Sequence, residues 1–240
     1  MSVLVEENDD GFLTVVISRE KEGNRLDAAT IADLTEVFEG VDPLRDKSGV
    51  IVLKGAGPDF SLGRQRPATQ SSDPLAIVEE FERIQKLNTA VQRCKAVTIS
   101  ALQGRAEGAG LSVAARCDIV MVAKTARLCF PEIQHGIPPT IVLSHFRYVL
   151  PKNLLGDMIF GGRVVSGEEA VSCGLAARVE EDGELYANAD KLASDIARYD
   201  RRSVALVKSF LARTQDLPPT LAPSLGISMY ANEISHRLLK

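Results

Sequence analysis

Apolar residues recur along this chain at two spacings. Runs of β-branched and aliphatic residues predict strands at 12–18, 50–54, 97–102 and 119–123. A short strand is expected at 127–130 and an edge strand at 176–179. Between them the spacing is helical. Ile31, Leu34 and Phe38 share one face, after Asp27, a good N-capping residue. Ile77, Phe81, Ile84 and Leu87 line a longer helix that Pro74 opens and that runs to about Cys94. Residues 70–73 read as a polar, mobile connection before it. Helical patterns cover 140–148 and 152–160, and 164–173 reads as a turn and a short helix. From Glu184 the pattern is wholly helical: Val204, Val207 and Leu211 form a stripe, and a last amphipathic helix starts near Leu221. Strands separated by helices need crossover connections, so the fold class is α/β with a largely parallel sheet. The strand-free tail reads as a small second unit or an oligomerisation arm.

Composition narrows the picture. At 240 residues and 45% hydrophobic, the chain has ample material for a core. Its net charge of −4 gives no bulk attraction to nucleic acid or to an anionic membrane surface. No apolar run approaches the ~20 residues of a membrane span. The first ten residues are acidic and resemble no targeting segment. Cys94, Cys117, Cys129 and Cys173 form no CxxC pair and read as reduced thiols of a cytoplasmic protein. His135, His145 and His236 have no metal-ligand spacing, so no metal is expected.

The candidate chemistry centres on the stretch from Gly104 to Asp118. A predicted strand leads into Gly104, Gly108 and Gly110, and a small-residue helical run follows. Glycine permits close backbone approach, and N–H groups at a helix start hold an anion or an oxygen that becomes one. A tight strand-to-helix turn made for packing alone explains the same residues. A second glycine-punctuated loop runs from Gly55 to Gln65.

With these loops placed, the chain resembles the crotonase, or enoyl-CoA hydratase/isomerase, superfamily. Asn24-Arg25-Leu26 resembles the family's Asn-Ala-Leu, and Phe60-Ser61-Leu62-Gly63-Arg64 its Phe-Ser-Ala-Gly-x. Gly104 to Asp118 resembles its Gly-x-x-x-Gly-Gly-Gly…Cys-Asp stretch. Pro131-Glu132 with Gly136 resembles its Pro-Glu-x-x-x-Gly, and Ala170 to Leu175 its Ala-x-x-x-Gly-Leu. The resemblance implies a spiral of ββα units over 1–183 and a helical region over 184–240 that builds homotrimers, often paired into hexamers. It implies an acyl-CoA thioester as substrate, in the manner of fatty acid metabolism, with coenzyme A part of that substrate and no separate cofactor. The backbone N–H groups of Arg64 and Ala109 are the implied oxyanion hole. Asn24, Leu26, Leu62 and Arg64 are the implied contacts to the coenzyme A portion, the Arg64 side chain reaching phosphates.

Glu132 matches one of the family's catalytic glutamates and is the expected base. The chain departs from hydratases at Ser112, where they carry a second glutamate; a hydroxyl positions water or a substrate oxygen but does not readily take a proton. Gln65 replaces an aspartate and reads as structural. Glu107 reads as a loop acid, and His135 and His145 as packing or surface histidines, though each is near enough in sequence to join the site. One carboxylate suffices for a 1,3-proton shift, so the leading expectation is a single-glutamate enoyl-CoA isomerase. A hydratase is the alternative; hydrolysis, decarboxylation and a non-catalytic acyl-CoA binder are further options. A dinucleotide site is disfavoured because Val113 stands where the fingerprint needs a third glycine or alanine. The acyl pocket is expected from 66–80 and 138–147.

Overall fold

The computed structural model describes residues 2–66, 71–215 and 217–238. Residues 67–70, part of a segment expected to line the pocket and to form a mobile connection, lie outside the described residues. In chain order the elements are β1 (Val3–Glu7), β2 (Phe12–Ile17), α1 (Ala28–Gly40), β3 (Val50–Gly55), α2 (Pro74–Arg93), β4 (Val97–Leu102) and β5 (Arg105–Glu107). There follow α3 (Gly108–Ala114), β6 (Ile119–Ala123), β7 (Arg127–Cys129), α4 (Thr140–Val149), α5 (Lys152–Phe160), β8 (Val165–Ser166) and α6 (Gly167–Ser172). The chain closes with β9 (Arg178–Glu180), α7 (Leu185–Ala197), α8 (Arg201–Thr214) and α9 (Ala222–Leu238).

The main sheet has the order β1-β2-β3-β4-β6-β9. β1 and β2 are antiparallel, and every other pairing in it is parallel. The central strands are buried on both faces, which is why β3 reads as an unbroken apolar run rather than an alternation. A small second sheet, β5-β7-β8, stands beside it. This is the mixed α/β architecture expected.

α1 forms where Asp27 caps it, its carboxylate accepting the Thr30 N–H at 2.8 Å, and it buries Ile31, Leu34 and Phe38. α2 packs on α1 and buries Ile84 and Leu87, while Ile77 and Phe81 stay half-buried nearer its start.

Three elements differ from expectation. β1 lies in the acidic first ten residues; only Val3 of it is buried, so backbone pairing with β2 rather than an apolar face holds it. β5 sits inside the glycine-rich stretch, three residues long, with Ala106 fully buried. β9 begins two residues beyond the expected strand, on the sheet edge.

The tail is not uniform. α7 lies against the main sheet: Leu185, Ala189 and Ala193 join the core, Tyr186 Oη donates to the Gly55 carbonyl at 2.7 Å, and Lys54 Nζ meets Asp190 at 2.7 Å. α8 is pinned by Lys208, which is buried and donates to Asp118 at 2.6 Å and to the Ala96 carbonyl. α9 packs on α8 and buries no residue fully. Val207 and Leu211 of the apolar stripe are more than half exposed, at 58% and 61%.

Candidate active site

The two glycine-rich loops are stitched together by backbone. Ser61 N–H donates to the Arg105 carbonyl at 3.2 Å, and Glu107 N–H returns to the Ser61 carbonyl at 2.9 Å. Leu26 N–H donates to the Gly63 carbonyl, and Gln65 N–H to the Leu26 carbonyl, both at 2.9 Å. The N–H groups of Arg64 and Ala109, which lie on these two loops, make no hydrogen bond among the described residues. Gly63 has φ +81°, and a Cβ there would sit 3.1 Å from the Glu107 carbonyl oxygen and 3.6 Å from the Ala109 nitrogen. So the residue before Arg64 touches the backbone at Ala109, and the two free donors are neighbours in space. Gly110 serves the same crossing, since a Cβ on it would meet Ser61 at 2.6 Å.

Asn24 holds the first loop. It adopts φ +52°, its Nδ2 donates to the Ala56 and Asp59 carbonyls at 2.7 Å, and its Oδ1 accepts the Arg19 N–H at 2.9 Å. Its own carbonyl accepts Ser61 Oγ at 2.8 Å. Every polar group of this 1%-exposed side chain is thus used inside the protein. Asn24 and the equally buried Leu26 act as loop supports here rather than as surfaces open to a ligand.

Glu132 opens a 3₁₀ turn, Glu132–His135, that Gly136 ends in the left-handed conformation. Its carboxylate lies over Gly108, where an added Cβ would come within 2.3 Å of Oε1. Oε2 is sealed from solvent and has no partner among the described residues. Burial raises the carboxyl's pKa, and the charge of Glu107 pushes the same way; its own backbone N–H and Arg66 oppose them. A carboxyl with one oxygen sealed and partnerless among the described residues, and a raised pKa, is suited to taking and returning a proton.

Ser112 is in the second turn of α3 and almost fully buried. Its hydroxyl and its carbonyl both accept from Arg116 Nη1, at 2.5 and 2.7 Å. Arg116 is 7% exposed, and burial lowers its pKa to about 10. His145 comes from α4; burial first and the Arg116 charge second depress it to about 4, so its imidazole is neutral. Its Nε2 is sealed and unpartnered among the described residues.

The expected site residues therefore fall into two groups. Arg64 N–H, Ala109 N–H, Glu132 and Ser112 belong to the loop–helix junction at α3. Leu62 instead packs its side chain where a Cβ on Gly23 would sit, 2.5 Å from Cδ1. The Arg64 side chain turns away to pair with Glu80, its guanidinium 4.9 Å from the Phe81 ring centre, instead of standing free for a phosphate. His135 and the Gln65 side chain are exposed. Glu107 caps the start of α3 in position only, making no side-chain cap bond, and its charge acts on Glu132. Arg116 was not anticipated. Its signal is a lone cation in an otherwise small and apolar run, Gly108 to Cys117.

Among the described residues no group of three or more His, Cys, Asp or Glu is placed to hold a metal, and no helix is long and apolar enough to cross a membrane. Burial pushes the Cys117 thiol up to about 12 and Cys129 to about 11, so neither offers a thiolate.

Comparison with known proteins bears on this geometry. A family model described as enoyl-CoA hydratase/isomerase matches residues 7–237. The human mitochondrial enoyl-CoA hydratase domain-containing protein 3 is 26% identical over 205 residues, spanning 83% of this chain and 66% of that protein. Carnitinyl-CoA dehydratase of Escherichia coli K12 is 28% identical over 214 residues, 86% of this chain and 79% of that one. The crystal structure of human enoyl-CoA hydratase domain-containing protein 3 superposes with a TM-score of 0.92 at 22% identity, covering 98% of this chain and 92% of the other.

Proposed function

This chain belongs to the enoyl-CoA hydratase/isomerase family, and we propose that within it the protein is a single-glutamate enoyl-CoA isomerase acting on an acyl-CoA thioester. The observation that carries the reading is the Glu132 carboxyl, sealed at Oε2 with no partner there among the described residues and raised in pKa, with a serine rather than a second acid at position 112.

In this reading the thioester oxygen lies between the N–H groups of Arg64 and Ala109. Glu132 removes a proton from the carbon next to the thioester carbonyl. The electrons move onto the thioester oxygen, where two preorganised donors stabilise the enolate; loss of one such donor typically costs ~10²–10³ in rate. Glu132 then returns the proton two carbons further along, and the double bond shifts into conjugation with the carbonyl. Ser112 takes no proton, because its hydroxyl is engaged by a cation that disfavours accepting one. Coenzyme A is part of the substrate, and no separate cofactor is invoked. The protein works as a trimer or hexamer in this proposal, a reading supported by the exposed apolar residues of α8 and α9, including Val207, Leu211, Ile227 and Tyr230.

One observation favours a hydratase instead. The Glu107 charge acts on Glu132, so two carboxylates are within electrostatic reach of each other, as a water-adding site needs. The curated relatives are also named hydratase and dehydratase. Parallel assays of a 3-enoyl-CoA for isomerisation and a 2-enoyl-CoA for hydration decide the matter. The isomerase reading expects the first activity to dominate and Glu107→Gln to retain most of it. Dominant hydration that Glu107→Gln abolishes would establish the alternative.

A further inference from the structure

The buried cation at Arg116 has no role in the proton transfer above, yet it stands beside the residue where this chain departs from the hydratases. We infer that the acyl pocket receives a short acyl group ending in a carboxylate, with Arg116 and the Ser112 hydroxyl as its recognition site. This deepens the acyl-CoA reading and rests on it.

Several observations support the assignment. Arg116 is more than nine-tenths buried and forms no ion pair among the described residues. A guanidinium has five N–H donors in a fork suited to a carboxylate, and Arg116 spends only Nη1, on Ser112. Its Nε and Nη2 bond no described residue. The neighbouring His145 is neutral and adds no second positive charge to compete for an anion. Holding an unpaired guanidinium out of water is costly, and an anionic ligand offsets that cost when it arrives.

The position also fits. Arg116 reaches back over the turn at Ser112, one helical turn beyond Ala109. At about 1.5 Å of rise per residue, Ser112, whose hydroxyl Arg116 holds, is roughly 4.5 Å of helix rise beyond Ala109. With the thioester oxygen at Ala109, a short acyl chain of about four or five carbons spans the interval to Ser112, where Arg116 Nη1 bonds. A neutral acyl chain of that length would leave the guanidinium unpaired and would be disfavoured.

The test compares succinyl-CoA with butyryl-CoA by isothermal titration against wild type, Arg116→Met and Arg116→Lys. Both thioesters share the coenzyme A phosphates, so their difference isolates the acyl terminus. Wild type is expected to bind succinyl-CoA about 10- to 100-fold more tightly. Arg116→Met should lose that preference while binding butyryl-CoA at least as well as wild type, and Arg116→Lys should keep part of it. Equal binding by wild type, or a preference that survives in Arg116→Met, overturns the inference and leaves the acyl-CoA reading standing. Binding of neither thioester overturns both. If Arg116→Met does not fold, the wild-type comparison and Arg116→Lys still decide: a wild-type preference reduced in Arg116→Lys supports the site, and no preference overturns it.

Discussion

Gly108 lies directly beneath the Glu132 carboxylate: a methyl group on it would occupy space 2.3 Å from Oε1. It also holds φ +48°, which a side chain resists. Gly108→Ala should therefore displace the acid as well as strain the backbone. A misplacement of about 1 Å near the chemistry costs on the order of 10² in rate, and the backbone strain costs about 1–2 kcal/mol. If the effect runs through Glu132, the double variant Gly108→Ala/Glu132→Gln should turn over no more slowly than Glu132→Gln alone. Single-turnover rates and melting curves of the three proteins check this.

Glu132→Gln keeps shape and removes the proposed base. Turnover should fall at least ~10², with acyl-CoA affinity little changed. Stability should move in the opposite direction. Burial raises this carboxyl's pKa, so the fold favours its neutral form. That contribution is full below the ordinary value of 4.5 and is lost as pH rises through the higher folded value. The glutamine variant should melt above wild type near pH 7, and the gap should close below about pH 4.5. A variant with near-normal turnover would remove Glu132 from the chemistry.

His145 has the reverse sign. Its pKa falls from 6.5 to about 4, so the fold favours the neutral ring. Wild type should be steady above pH 6.5 and lose stability as pH falls towards 4, because the unfolded chain binds a proton that the folded one refuses. His145→Phe should flatten that slope. An unchanged slope would place the acid sensitivity elsewhere.

Ser112→Glu tests the position at which hydratases carry their second acid. Arg116 Nη1 lies 2.5 Å from the present hydroxyl, so a glutamate there would be drawn into an ion pair and kept ionised. The single variant should gain little hydration of a 2-enoyl-CoA, whereas Ser112→Glu/Arg116→Met should gain more, its new carboxyl freed to share a proton with Glu132. Hydration rates for both variants, beside wild type, decide it; equal rates would mean Arg116 does not restrain position 112.

Lys208→Met should loosen the tail. It removes a buried ammonium from Asp118 and from the Ala96 carbonyl, leaving Asp118 to Thr98 alone. The Asp118 side chain is 34% exposed, which moderates the loss to about 1–3 kcal/mol. Faster hydrogen exchange in α8 and α9 than in α7 should accompany it.

The strands buried on both faces and the helices with a clean stripe were legible because burial dictates residue type there: β4 and β6 run where the apolar residues run, and α5 spans 152–160 as read. β1 was not, since an edge strand held by backbone pairing needs no apolar pattern. β5 was hidden because three residues carry no period and the surrounding glycines mark a loop. The tail read as one helical block, but only contact shows that α7 joins the core while the Val207 and Leu211 stripe faces outward. In the site, Glu132 and the two loops stood out by motif. The inward turn of Asn24, the pairing of Arg64 with Glu80 and the seat of Arg116 behind Ser112 depend on how distant segments meet, which spacing does not encode.

The stitching of the two loops has a consequence for how this protein tolerates genetic change. Arg64 and Ala109 are presented by main chain, with Gly63 fixing one and Gly108 and Gly110 the other. A saturation library at 64 should accordingly accept most amino acids, whereas the buried 109 should accept only small ones; proline should fail at both, since it alone deletes the N–H. The same library at 63, 108 and 110 should return almost nothing but glycine.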